Sequence, residues 1–259
     1  MDQDSLQRLA GQHRIPIGTL EKDYAVTILL SKISQFPNIS SMTFKGGTAL
    51  KKIYYPEARF SEDLDFTCSS DISQDLANML EKTIKDKLDV NFTEVKEIDT
   101  TENSRKYSVK YLDFNNYSNS VKIDLSLREK VLTDITERQV KHIYELDNGT
   151  FNIPAMQISE IMAEKVRAII YARKPRHLYD MNYLFAKDVK LDPKLVNSKL
   201  EYYGKPFDIE KLKESIYGMK KEWSTDLKPL LPTVPFFDSV AEKVIANVTN
   251  AMKQSSSKA

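Results

Sequence analysis

Asp63 and Asp65 stand two residues apart at the start of a short stretch, Leu64–Thr67 with Asp63 just before it, that reads as a strand. A strand repeats every two residues, so both carboxylates point to one face, where their oxygens suit a hard divalent cation such as Mg²⁺ or Mn²⁺. The spacing alone says little: 20 aspartates in 259 residues give about 1.5 Asp-x-Asp pairs by chance, and Asp2 with Asp4 supplies a second one. Position separates the two pairs. About sixteen residues before Asp63 lies a turn made by Gly46 and Gly47, preceded by a strand candidate, Met42–Lys45, and followed by Thr48, which can cap a helix running through Ile53–Tyr54. Glycines let a backbone approach a ligand closely, and the amides at a helix start point outward with the positive end of its dipole, so this turn reads as a phosphate cradle. Phosphate charge needs a counter-ion, and the aspartates stand where one would be held. A third acid, Asp124, lies in a stretch whose alternation (Val121, Ile123, Leu125, Leu127) puts it on the opposite, polar face with Lys122 and Ser126. Three strand carboxylates beside such a turn suit two-metal phosphoryl transfer, with Asp124 as base or metal ligand.

Several elements must position these groups. Thr19, Glu21, Lys22 and Asp23 precede Tyr24, Val26, Ile28, Leu29, Leu30 and Ile33, the pattern of a capped helix, and Pro56 closes the helix after Thr48. A helix is expected over Ile72–Leu88. Alternation then predicts strands at Val90–Val95, Arg105–Phe114, Ser120–Leu127 and Val140–Leu146. From Met156 a helical stripe of Ile158, Ile161, Met162, Lys165, Val166, Ile169 and Ile170 begins, with further helices at Leu178–Phe185, Pro193–Tyr203, Ile209–Tyr217 and Val240–Ala251. The expectation is an α/β (α+β) domain with a mixed sheet over residues 1–153 and an all-helical domain over 154–259, with the active site in the cleft between them.

Composition narrows the setting. With 38 Lys+Arg against 37 Asp+Glu, any hold on a polyanion must be local, and the run Lys165, Arg167, Arg173, Lys174, Arg176, His177 is such a patch. The 41% hydrophobic and 29% charged residues are those of an ordinary globular chain. No apolar run approaches the ~20 residues of a membrane span, the start carries no signal-peptide pattern, and Cys68 is the only cysteine; no membrane association and a cytoplasmic location are expected. His13 and His177 lack metal-ligand spacing. Tyr54, Tyr55 and Tyr179 are candidate base stackers. Only the tail Ser255–Ala259 looks low in complexity.

The blocks Phe44-Lys-Gly-Gly-Thr-Ala-Leu50 and Arg59-Phe-Ser-Glu-Asp-Leu-Asp65 closely resemble the AbiEii-type nucleotidyltransferase toxins, a branch of the DNA polymerase β-type nucleotidyltransferases. Glu21-Lys-Asp-Tyr24, Ala163-Glu-Lys-Val-Arg167 and Arg176-His-Leu-Tyr-Asp180 resemble them too, in the same order, so that the resemblance spans residues 18–187. It implies a polymerase β-type core in which Lys45, Gly46, Gly47, Thr48, Arg59 and Ser61, with Lys165, Arg173 and Arg176, serve a nucleoside triphosphate. It further implies that Asp63 and Asp65 carry metal, with Asp124 as the candidate third ligand, and that Asp180 is an essential acid. His177 departs from the family's frequent Arg-Asp. The implied acceptor is RNA, the 3′ end of tRNA, and the implied partner is a cognate antitoxin. A protein hydroxyl as acceptor, a non-catalytic nucleotide- or RNA-binding module and a metal nuclease are the rival readings; the nuclease leaves the Gly-Gly turn without a purpose.

Overall fold

The computed structural model describes residues 1–146 and 149–256, so the end of the low-complexity tail, 257–259, lies outside the described residues. The chain divides into two compact units, Met1–Met156 and Gln157–Ala259. In the first, helices α1 (Gln3–His13) and α2 (Ile17–Ile33) precede β1 (Met42–Lys45), the single helical turn α3 (Gly46–Ala49), a π-helical turn (Leu50–Tyr54) and β2 (Asp63–Cys68). There follow α4 (Ser73–Thr83), β3 (Asn91–Thr101), β4 (Ser104–Leu112), β5 (Ser118–Ser126), β6 (Thr136–Gln139) and β7 (Asn152–Ala155). The strands form one mixed seven-stranded sheet in the order β3-β4-β5-β2-β1-β7-β6. Among the described residues, β2–β5 and β1–β7 are the pairs that run parallel. The mixed sheet and the helical region after it are those the sequence predicts.

The apolar residues of α2 are not confined to one stripe: Leu20, Ala25, Val26, Leu29, Leu30 and Ile33 are all buried. Such a helix belongs inside a core, and α2 packs on β2 and β5. Beneath it lie the alternate residues Val109 and Tyr111 of β4 and Val121, Ile123 and Leu125 of β5. Their neighbours along the strands turn to the other face of the sheet.

The second unit is wholly helical: α5 (Ile158–Tyr171), α6 (Pro175–Ala186), α7 (Pro193–Glu201), α8 (Ile209–Gly218), α9 (Trp223–Leu227) and α10 (Phe237–Ser256). There α5 packs on α6, α7 and α8, and α10 on the same three. Among the described residues no helix is long and apolar enough to cross a membrane.

Several local expectations are corrected. Thr19 does not cap α2, which starts at Ile17 with Pro16 before it and no side-chain cap; proline's preset φ and missing N–H suit that place. Nor does Thr48 cap a helix, because the turn begins two residues earlier, at Gly46. The helix expected to Leu88 stops at Thr83. Val140–Leu146 is not a strand: Val140 and Tyr144 are buried, but the Tyr144 hydroxyl bonds Asp23 and the Leu20 carbonyl, so their alternation reflects tertiary burial. The neighbouring strands are β6, whose Thr-Glu-Arg-Gln has no apolar pattern, and β7, whose Pro154 argues against a strand in sequence. Asp2 caps α1, accepting the Ser5 N–H at 2.8 Å.

Candidate active site

The site starts where β1 runs out. Gly46 has φ +82°, a conformation that side chains disfavour, and a Cβ there would lie 2.1 Å from Asp65 Oδ2. The Asp65 carboxylate therefore packs directly on the glycine backbone. A Cβ on Gly47 would meet Arg59 Nη2 at 2.8 Å and Ser61 Oγ at 2.9 Å, so the turn is lined by one acid, one guanidinium and one hydroxyl. Arg59 is buried and donates to the Phe60 carbonyl at 2.9 Å. Thr48, also buried, donates its hydroxyl to the Asp63 carbonyl, which braces the turn against β2. Only one α-helical turn follows the glycines before the π-helical stretch, so the turn offers fixed N–H groups more than a long helix dipole.

Strand pairing aligns the charges. Lys45 of β1 is the register partner of Asp65 of β2, Asp65 of Asp124 of β5, Asp124 of Lys106 of β4, and Lys106 of Asp99 of β3. Cross-strand partners share a face, so these five residues form a row, plus-minus-minus-plus-minus, on the face away from α2. Asp63 is two residues from Asp65 and on that face as well. Burial lifts the Asp124 carboxyl above its usual range; Lys106 and Lys45 pull it back, while Asp99 and Asp63 push it further up. Lys106 is tied to Asp99 at 2.8 Å, and Lys45 reaches Glu129 at 3.5 Å, both side chains being buried. The oxygen donors of Asp63, Asp65 and Asp124 are of the type a hard cation takes. In this conformation, among the described residues, no three acidic, histidine or cysteine side chains stand close enough together to hold one ion.

In the helical unit Lys165 and Asp180 form an ion pair of 2.7 Å, 5% and 0% exposed. The stripe carrying Lys165 thus buries its ammonium against an acid one helix away. Arg176 is held by Asp226 through Nη2 at 2.8 Å and Nε at 3.3 Å, and Arg173 lies 3.4 Å from Glu214. Lys165, Arg173 and Arg176 of the basic run are thus each paired with an acid. Of the candidate stackers, Tyr54 gives its hydroxyl to the Met156 carbonyl at 2.6 Å and its ring to Arg138, and Tyr179 stacks with Tyr183.

Lys106, Asp99 and Glu129 are the members that sequence reasoning missed. Lys106 occupies a polar position of an alternating stretch, a signal that names its face but not its neighbours. Glu129 lies outside any element, where pattern is silent.

No curated protein matches the chain. Among solved structures it is similar to MenT4, a nucleotidyltransferase toxin of Mycobacterium tuberculosis H37Rv, with a TM-score of 0.72 and 20% identity over 96% of this chain and 90% of that one. JHP933 of Helicobacter pylori is similar at a TM-score of 0.56 and 18% identity over 94% and 96% of the two chains. At such identities the likeness is one of fold. The model of the AbiEii nucleotidyl transferase toxins of type IV toxin–antitoxin systems matches residues 28–243, beginning after Glu21–Tyr24 and taking in the glycine turn, the row of acids and the Lys165–Asp180 pair. A match over that much of the sequence makes this chain a member of the AbiEii nucleotidyl transferase toxin family.

Proposed function

We propose that the protein transfers a nucleoside monophosphate from a nucleoside triphosphate to a hydroxyl of an RNA acceptor, the 3′ end of tRNA, with release of pyrophosphate. The observation that carries the reaction type is the packing of the Asp65 carboxylate on Gly46: the amides suited to phosphate and the acids suited to its counter-ion are one structure. In this reading the Gly46–Thr48 amides, Lys45, Arg59 and Ser61 bind and orient the triphosphate. Asp63, Asp65 and Asp124 would hold Mg²⁺ or Mn²⁺, which when bound neutralises phosphate charge and activates the acceptor hydroxyl. Asp124 would serve either as a ligand of that ion or as the base that takes the hydroxyl's proton. Lys165, its ammonium set by Asp180, supplies cationic charge to the nucleotide, and pre-set groups of this kind lower a phosphoryl-transfer barrier without reorganising during the step. A cognate antitoxin is the expected protein partner.

Asp65→Asn keeps the shape and removes a charge, so a folded Asp65→Asn protein should lose Mg²⁺-dependent pyrophosphate release, and Asp63→Ala with it. Undiminished release from either would overturn the assignment. Incubation with each of four α-labelled nucleotides, with the label partitioned between RNA and protein, tests the acceptor. Label in protein alone would replace RNA by a protein hydroxyl.

A further inference from the structure

Tyr107, Val109 and Tyr111 of β4 are buried on one face of the sheet, while Lys106, Ser108 and Lys110 between them share the face of the charge row. A cavity of about 240 Å³ lined by Tyr111 therefore lies on the side of the sheet opposite the candidate active site. Glu21 and Tyr24 of α2, Asp89, and Asp113 and Phe114 beyond β4 complete its wall, and no lysine, arginine or histidine lines it.

Two oxygens on buried residues of this pocket are spare. The Tyr111 hydroxyl is buried, with its residue 2% exposed, and has no hydrogen-bond partner. Glu21 accepts the Phe114 N–H through Oε1 at 3.2 Å, which leaves Oε2. The other carboxylates differ: Asp113 is engaged by the amides of Asn115 and Tyr117 and by Asn119, while Asp89, on an exposed side chain, takes the Tyr24 hydroxyl at 2.7 Å and the Met1 nitrogen at 3.2 Å through Oδ2 alone. Buried polar groups are normally paired, and an orphan hydroxyl beside a half-used carboxylate is costly unless something occupies the space. Burial, with Asp113 adding to it, lifts the Glu21 carboxyl above its usual range, a strain that a bound cation would relieve. Two aromatic rings, of Tyr24 and Phe114, offer the faces that organic cations favour. The volume lies just below the roughly 300–1,000 Å³ of drug-sized pockets, which fits a small ligand.

We propose that this pocket binds a small organic cation, an alkylammonium or guanidinium group whose N–H donors bond Glu21 Oε2 and the Tyr111 hydroxyl. Phosphate and nucleotide are excluded by its three carboxylates. The shared chemistry has two sources, a free amine or a basic side chain of a partner, and the probes separate them.

The test is calorimetric titration of the full chain with agmatine, with 1,4-diaminobutane and with N-acetylarginine amide, each against NaCl of equal ionic strength. Saturable binding of at least one probe is expected. Preference for the free amines assigns the pocket to a metabolite, and preference for the arginine amide assigns it to a side chain. Glu21→Gln should weaken binding about ten- to hundredfold, the worth of one charge-assisted bond. Tyr111→Phe removes one orphan oxygen and keeps the ring, so it should raise the Tm of the ligand-free protein while lowering affinity. It reads the site even if Glu21→Gln fails to fold. No saturable binding beyond the NaCl control, or binding left unchanged by Tyr111→Phe, would overturn the proposal. Pyrophosphate release enters neither readout, so failure here and failure of the transferase reading are distinguishable.

Discussion

Gly46 is constrained twice, by its φ of +82° and by the Asp65 oxygen 2.1 Å from where a Cβ would stand. The left-handed conformation costs a side chain about 1–2 kcal/mol, which a domain survives, but the clash must move Asp65. Because roughly 1 Å of misplacement can cost about 100-fold in rate, Gly46→Ala should lose about that much pyrophosphate release while circular dichroism stays native. Gly47→Ala meets the ends of the Arg59 and Ser61 side chains, which leaves Asp65 in place, and should be milder. Equal losses would refute the Asp65 explanation. Lys165 needs a different design. Removing it alone strands Asp180, which is 0% exposed, at a cost of about 3–5 kcal/mol, so Lys165→Ala confounds stability with activity. The double variant Lys165→Met with Asp180→Asn should unfold at higher urea than Lys165→Met and still be inactive; recovered activity would remove Lys165 from the machinery.

At the scale of elements, the Glu21-Lys-Asp-Tyr24 block owes part of its character to architecture. Lys52, in the π-helical turn after the glycines, puts its buried ammonium 2.9 Å from Asp23 Oδ1 and 2.8 Å from the Thr27 hydroxyl, and Tyr144 closes on Asp23 at 2.8 Å. This network ties α2 to the segment that carries the phosphate turn. Its neighbour Lys51 donates to the carbonyls of Pro56 and Ala58 and sits over the Phe60 ring. Two successive buried lysines with fixed partners in different directions account for the departure from a regular α-helix at Leu50–Tyr54. Lys52→Met alone should cost about 3–5 kcal/mol in urea unfolding, and Asp23→Asn added to it should recover part of the loss. A strictly additive double variant would show that the pair is not the unit. Asp2→Ala removes the α1 cap and should cost about 0.5–2 kcal/mol with no change in turnover.

For the whole molecule, the buried ionisable groups predict how stability falls in alkali. Burial pushes the Cys68 thiol up to about 12 and raises Tyr54, Tyr107, Tyr111 and Tyr144 above their ordinary value near 10. Each raised group binds its proton more tightly folded than unfolded, so its contribution is complete below the unfolded pKa and is lost as pH rises toward the folded one. Lys51, lowered by burial to about 8 from 10.5, works the other way between those values, because there the unfolded chain binds the extra proton. The two effects oppose each other near pH 9–10, and the tyrosines dominate above. Urea midpoints should therefore hold to about pH 10 and then fall, and Cys68→Ala should flatten the fall by up to about 1.4 kcal/mol per pH unit. A midpoint that does not move between pH 10 and 11 would contradict the burial of these groups.

Sequence by itself determined the local terms: the glycine pair, the two-residue spacing that puts Asp63 and Asp65 on one face, the alternation that puts Asp124 among polar residues, and the helical stripe around Lys165. Each depends on backbone period and side-chain type, which neighbours in the chain suffice to reveal. Tertiary structure alone decided that Asp65 pairs with both Lys45 and Asp124 and that Lys106 joins them, because strand order is chosen by burial across residues far apart in sequence. It alone placed Asp65 on Gly46, Lys165 against Asp180 and Arg176 against Asp226. Strand period assigns a face; which charge stands beside which is settled by the packing that takes both out of water.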